Sequence, residues 1–588
     1  MTLKVVPLAV GAGIQRDGTK FAAPSYVDGK WVRFQYGRPR KIAGYEGSFL
    51  NSNGISRGMI MSASNGLNYI ISGWSGGLDQ YTTDNDDAVG SGPNPFTMSS
   101  YFSANANNLW QMDVGYDPYG NGNNNLIAHP GLNLNDITNT VNTRPLLGSF
   151  TGTSVNAVGV FTATGTLTSG TKTVTFANTN VAMGAGVTVT GTGIPANTYI
   201  VSATVTGGIW TVTLNNNATA SGAQLLTFDN NISVSGGVVM LYPYLFVYGN
   251  NGLIQNCSAG DFNNWTSADA NATNVASTKV VKGLPLRGGT TSPAGLFWTL
   301  DSVVRVTYAP QSVGTSTIYW RYDLITQQSS ILSSSSVIEY DGIYYWAGVD
   351  RFLMYNGVVQ ENINTQNFNY FFDNLNYTQR QKVWATKVPR WGEIWWFFPS
   401  GDSTECNDAI IYNVREKCWY DAGQALGARR SAGVFSEVFR RPVWGGWEKN
   451  IANSYTLWQH EIGTNQVFTN KVDAIESYFE TNVLGTSTGV VGSMPSGDNL
   501  WTRCERVEPD FVQNGTMSLT VTGKGYADDV DSPSNPYDFN PTTLKIDMKE
   551  QRREMRMRFT SNTQNGDYFM GRVLLSLETG DTRGTGSP

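Results

Sequence analysis

The residues able to do chemistry are few and poorly placed for it. The 588-residue chain has two histidines, His129 and His460, and four cysteines, Cys257, Cys406, Cys418 and Cys504. A Ser/His/Asp triad needs an imidazole beside a nucleophile on a sharp turn, and no G-x-S-x-G elbow occurs. A catalytic zinc draws on two or three neighbouring imidazoles, and HExxH is absent. His129, in the run LIAHP, reads as a strand-end residue, and both histidines are expected to be structural. Cys406 and Cys418 could face each other across a hairpin, but reduced, packed thiols are the preferred reading. Neither a metal nor a cofactor is anticipated.

Glycan-cleaving enzymes can work with two acids alone, so the loop carboxylates need weighing. They are Asp84, Asp86, Asp87, Asp301, Asp341, Asp350, Asp402, Glu405, Asp408 and Asp421. Asp beside Asn and Gly is also the ordinary chemistry of hairpin turns, and that reading is preferred. A sialidase-type propeller would repeat S-x-D-x-G-x-x-W. The one approach to it, residues 258–265 (SAGDFNNW), has its acid one place late and lacks the later glycine. Glycines in 73–77 (GWSGG) and 120–122 (GNG) precede no GK[ST] and serve turns, not phosphates. The cluster Arg33, Arg38, Arg40 and Lys41, interleaved with Phe34 and Tyr36, could touch a polyanion. With a net charge of −6, a solvated face or an acidic subunit partner fits it better. Arg552, Arg553, Arg556 and Arg558 pose the same choice. No enzymatic activity is expected.

The elements that would carry these residues repeat. Aromatic-rich strand, Gly/Asn/Asp turn and second strand recur at 68–81, 109–129, 244–265, 343–357, 393–420 and 441–462. Such hairpins bury their faces best against one another, and a closed ring of blades leaves only short edges. Aromatics at 12%, 64 glycines and only 15% charged residues suit an all-β, turn-rich chain. The predicted fold is a β-propeller of six or seven blades with an inserted small β-sandwich and a C-terminal β-rich platform. Residues 1–150 hold the N-terminal segment and first blades, and 151–232 the sandwich, with Lys172 as the one basic residue between 146 and 278. Residues 233–470 hold the remaining blades, and 471–588 the platform with a disordered tail. Phe368, Phe371, Phe372 and Leu375 are spaced as one face of a short helix. In 553–559, Met555, Met557 and Phe559 alternate with Glu554, Arg556 and Arg558, the pattern of a strand with one buried and one wet face. Trp395, Trp396 and Trp419 are expected in the core. No run of about 18 apolar residues is present, and residues 1–10 are too short for a secretory signal with its cleavage site.

Residues 26–47 (YVDGKWVRFQYGRPRKIAGYEG), 369–399 (NYFFDNLNYTQRQKVWATKVPRWGEIWWFFP) and 408–421 (DAIIYNVREKCWYD) resemble the tail nozzle, or packaged-DNA stabilisation protein, of short-tailed bacteriophages. The likeness spans roughly 1–145 and 235–470. It implies a propeller, six copies around the tail axis, attachment beneath the adaptor ring of the portal, contacts with fibre, spike or needle proteins, and a lumen through which double-stranded DNA leaves the virion without membrane insertion. Residues 151–228 look like the immunoglobulin-like modules of phage structural proteins. A DNA conduit should not grip its cargo, because each added Lys or Arg that meets phosphate tightens the hold. On that argument Asp84, Asp86 and Asp87 are candidates for an acidic loop facing the channel, and Arg33, Arg38, Arg40 and Lys41 for a subunit or adaptor interface. The alternative is a tailspike-like, host-recognising protein that binds carbohydrate on exposed Trp and Tyr platforms.

Overall fold

The computed structural model describes residues 3–20, 23–64, 66–83, 90–116, 124–131, 143–177, 183–287, 293–314, 316–435, 441–450, 453–484, 501–525 and 529–579. The chain is all-β: among these residues the one α-helix is Phe368–Asn374, followed by a 3₁₀ turn, Tyr377–Lys382. The helix begins where the spacing of Phe368, Phe371 and Phe372 places it, and Phe371 is fully buried against the sheets.

Seven sheets dominate, antiparallel throughout but for one parallel pair in the seventh. Their first strands are Gly58–Ser64, Gln111–Tyr116, Gly237–Leu241, Val280–Pro285, Val337–Tyr340, Trp384–Val388 and Arg430–Val434. The first six sheets are four-stranded meanders in simple chain order. First strands one to four lie side by side, five to seven do likewise, and the seventh returns to the first. An apolar core fills each gap: Ile71 and Leu126 between sheets one and two, Ile127 and Val247 between two and three, Phe246 and Phe297 between three and four. Trp298 and Trp346 join four to five, Phe352 and Trp396 five to six, Phe397 and Trp444 six to seven, and Ile70 and Leu457 seven to one. First-strand contacts and these cores together place the seven sheets in a cyclic order.

The most aromatic strand shows how the sequence makes such a stack. All six residues of Glu393–Phe398 are buried. Because side chains alternate across a strand, Ile394, Trp396 and Phe398 pack toward sheet five while Trp395 and Phe397 pack toward sheet seven. A strand covered on both faces reads as a continuous apolar run. Trp395, Trp396 and Trp419 are at most 2% exposed, as the sequence suggests.

The ring is closed by a strand from far upstream. Tyr45–Ser52 pairs antiparallel with Tyr455–His460 and parallel with Asn465–Phe468, so it lies inside sheet seven between two late strands. The rest of the N-terminal segment enters the C-terminal body. Lys4–Pro7 pairs with Leu574–Thr579, and Asp28–Lys30 with Ser477–Glu480, in a nine-stranded sheet. The hairpin Val32–Gln35/Arg38–Lys41 adds to Asp567–Met570 in a second sheet. In the long strand Ile546–Ser561, Met555, Met557 and Phe559 are fully buried as the alternation predicts. The opposite face is less wet than predicted. Arg556 is 1% exposed and bonds Glu480 and Asp531, and Arg558 bonds Glu480 and Asp28. Acidic partners on neighbouring segments cover what a lone strand would present to water.

Between sheets two and three, six strands from Val160–Leu167 to Gly222–Asp229 form one curled sheet. Its two edges meet: Thr188 bridges Tyr199, and Val189 N donates to Thr198 O at 2.9 Å. Val174, Val189, Ile200, Val212, Leu226 and Phe228 fill the interior. The preceding strand, Val155–Ala157, still pairs with Leu146–Ser149 as the fourth strand of sheet two.

Candidate functional site

The segments at 26–47, 369–399 and 408–421 meet in one buried joint between sheet six and the C-terminal body. At its centre Arg33 is 1% exposed. Its Nε and Nη2 donate to the two carboxylate oxygens of Glu393 at 2.8 and 2.9 Å, and its Nη1 and Nη2 to Glu461 at 2.8 and 2.6 Å. Tyr420 OH (2.6 Å) and Trp395 Nε1 (2.9 Å) donate to Glu393, and Trp391 Nε1 to Glu461 at 2.8 Å. Burial raises the Glu393 carboxyl above its ordinary value against the pull of Arg33. Glu461, also opposed by burial, is held below its ordinary value by Arg33. One guanidinium serves both carboxylates and neutral Tyr and Trp donors complete their hydrogen bonds, which is how a low-dielectric interior retains ions.

A second cluster lies on the same sheet. Arg16 Nε and Nη2 donate to Asp421 at 2.9 Å each, and Arg16 also pairs with Asp28. Asp408 accepts from Tyr370 OH at 2.7 Å and from the Gln424 and Ala409 amides at 3.0 and 2.8 Å. Burial, and then the Asp421 charge, push Asp408 up to about 7. A raised carboxyl pKa means that the folded chain takes up a proton between the ordinary value and about 7, so stability falls as pH rises through that window. Asp408→Asn removes the titration. The melting temperature of this variant relative to wild type should therefore climb by a few degrees from pH 5 to pH 8, and a pH-independent difference would refute the assignment.

The first strands of six of the seven sheets, all but the third, line an axial cavity of about 160 Å³. Arg57, Lys282 and Lys382 are the charged residues in its wall, with Gln111, Ser335, Gln381 and Ser431 among the polar ones. Arg57 holds Glu405 through two 2.7 Å bonds, and Lys382 adds a third at 2.7 Å. Gln111 stitches the sheets behind the wall: Nε2 donates to Gly236 O at 3.0 Å, and Oε1 accepts from Tyr248 OH at 2.7 Å.

A second pocket, of about 220 Å³, opens on sheet seven beside Tyr45, Arg430, Trp458 and Phe468. The Arg430 guanidinium lies 4.8 Å from the Tyr45 ring and 5.1 Å from Trp458, and Nε donates to His460 Nε2 at 2.9 Å. Burial lowers Arg430 to about 10 and keeps His460 well below the imidazole range. His129 is likewise buried and lowered to about 4 by desolvation, with its ring bonded to Val234 O and the Thr143 hydroxyl. Both imidazoles are therefore neutral members of the core.

Of the basic residues proposed for an interface, Arg33 is consumed in the joint described above. Lys41 is 2% exposed, and its Nζ donates to Gly566 O at 2.8 Å; burial lowers it to about 8. Neither can reach a neighbouring molecule, because partners within the chain satisfy both. Arg40 is half-buried over Trp391 and Phe569, while Arg38 is exposed near the hairpin tip with Tyr36, itself 78% exposed. Asp84, Asp86 and Asp87 lie outside the described residues. Asp421 and Asp408 were visible in sequence only as turn acids; the Arg16 that pairs with Asp421 lies 405 residues upstream. The four cysteines are free and buried, and burial raises each thiol. Among the described residues no group of three His, Cys, Asp or Glu could hold a metal ion.

No protein-family model and no curated protein matches the chain. Solved structures overlap it weakly. An ancestral GH74 enzyme is 10% identical over 68% of this chain and 64% of its own, with a TM-score of 0.25. An exo-beta-1,3-galactanase from Phanerochaete chrysosporium is 8% identical over 91% of this chain and 100% of its own, with a TM-score of 0.18. The extracellular domain of a one-component system from B. thetaiotaomicron is 9% identical over 97% of this chain and 80% of its own, with a TM-score of 0.21. Overlaps this loose carry no argument about fold or activity.

Proposed function

We propose that the chain is a non-enzymatic component of a phage tail, a nozzle-type subunit whose seven sheets are the blades of a propeller. The observation that supports this reading is the joint: the three segments that resemble tail nozzle proteins, distant in sequence, converge on Arg33, Glu393, Tyr420 and Asp421. The resemblance thus follows a structural weld between propeller and platform. A subunit that bears load from a pressurised polymer needs such a weld more than it needs a cleft.

The DNA path must lie between copies of the chain. An axial cavity of about 160 Å³ has the volume of roughly five waters at about 30 Å³ each, whereas the major groove of a duplex is about 12 Å wide. In this proposal several copies, six by the resemblance, stand around the tail axis beneath the adaptor. The exposed Tyr36 and Arg38 tip replaces the buried Arg33 and Lys41 as the candidate contact. The surrounding acidity, a net −6 per chain, limits the grip on DNA.

The carbohydrate-binding alternative relies on exposed aromatic platforms. None of the 17 tryptophans is exposed, although exposed tyrosines remain at positions 36, 101, 116, 199, 242 and 377. Electron microscopy of the protein mixed with its virion components should show a symmetric ring on the tail axis. Saturable binding to host glycan by a trimer, with no ring, would overturn the proposal in favour of a spike.

A further inference from the structure

The wall of the axial cavity carries three cationic side chains and no carboxylate. The carboxylates that balance them stand behind it. Glu405 is held by both Arg57 and Lys382, leaving that group with a net positive charge. Asp113 is the acid that acts on Lys282, but its two oxygens are occupied by the Val114 and Met240 amides at 2.8 Å each. Lys282 sits on a first strand with its side chain partly exposed to the cavity, and its ammonium has no hydrogen bond or ion pair within 4 Å among the described residues. Desolvation lowers the Lys282 pKa, so the charged ammonium is costly there unless something pairs with it.

We propose that the axial cavity binds a small oxyanion of the phosphate class, with Lys282 as its principal ligand and the Arg57–Glu405–Lys382 cluster as its electrostatic wall. Fixed donors in a confined space hold an anion more strongly than the same groups in bulk water. An anion here would couple the first strands of sheets one, four and six, which supply Gly58, Lys282 and Trp384 to the same wall. It would act as a removable rivet at the centre of the ring. The inference is independent of the role in a tail.

The test uses the full chain and inorganic phosphate. Phosphate titrated at constant ionic strength should raise the melting temperature saturably where chloride does not, and calorimetry should give one site per chain. Lys282→Gln should weaken phosphate binding by about tenfold or more, the loss of a charge-assisted contact. Lys282→Arg should retain binding, which separates loss of the charge from damage to the fold. A 5′-hydroxyl oligonucleotide should not compete, because its phosphates are carried on a chain too bulky for the cavity. Equal stabilisation by chloride, unchanged binding by Lys282→Gln, or displacement of phosphate by the oligonucleotide would each overturn the site.

Discussion

Arg33→Met should lower the stability of the whole molecule by about 3–5 kcal/mol, the cost of breaking a buried ion pair by removing one partner. The substitution strands Glu393 and Glu461 in the joint, where each already opposes ionisation of the other. Freed of the guanidinium, both carboxyls would have raised pKa values, so they would be protonated in the folded state at pH values where the unfolded chain has lost its protons. Stability of the variant should therefore rise as pH falls from 8 toward 5, opposite to the usual benefit of a paired acid. Chemical denaturation followed by tryptophan fluorescence gives the apparent midpoint; several bodies in one chain preclude a simple two-state fit. A midpoint within about 0.5 kcal/mol of wild type, the range of ordinary surface changes, would show that the network does not hold platform to ring. Replacing Arg33, Glu393 and Glu461 together by apolar residues should recover much of the loss, because no charge is then left uncompensated.

Glu46→Pro should be comparably damaging for a different reason. Glu46 pairs with Gln459 on one side and Val467 on the other, in the strand that closes sheet seven. Proline has no N–H and is tolerated at sheet edges, not inside a sheet. Loss of this strand exposes the Tyr455–His460 ladder and unseats Tyr45, which stacks on His460 at 5.0 Å and meets Trp458 edge-on at 5.3 Å. The expected outcome is a loss on the order of 3 kcal/mol or more, an open ring and rapid proteolysis between sheets seven and one. Limited proteolysis with mass mapping reads this directly. Exposed strand edges also pair between molecules, so the variant should aggregate in proportion to concentration. A monomeric, protease-resistant variant would mean that the closing strand is dispensable.

The all-β class and most individual strands were legible in the sequence because their signals are local. Trp395–Phe398 is an unbroken aromatic run, Met555, Met557 and Phe559 alternate, and Phe368–Asn374 carries helical spacing. The hairpin turns were marked by residues that accept positive φ, such as Asp341 and Gly342 between the first two strands of sheet five. Within the insertion, Val160–Leu167 gives little contrast in sequence, because Thr162, Thr164 and Thr166 form its exposed face and Gly165 lies on the buried one.

The functional reading of the basic cluster was not legible in the same way. Arg33 and Lys41 have the composition of a docking patch, and only their partners show otherwise. Glu393 lies 360 residues from Arg33, and Gly566 lies 525 from Lys41. Likewise, nothing in residues 45–52 says that they complete a sheet begun at residue 430.

The chain by itself thus determined which stretches become strands, which faces of those strands seek a core, and how little catalytic chemistry is at hand. Tertiary structure alone decided which charges are spent inside, which late strands the segment 45–52 joins, and that three cationic side chains line one cavity of about 160 Å³. The reason is one of range. Side-chain periodicity and turn preference act over a few residues and leave a mark there. Pairing between strands hundreds of residues apart depends on which surfaces remain uncovered once all the others have packed.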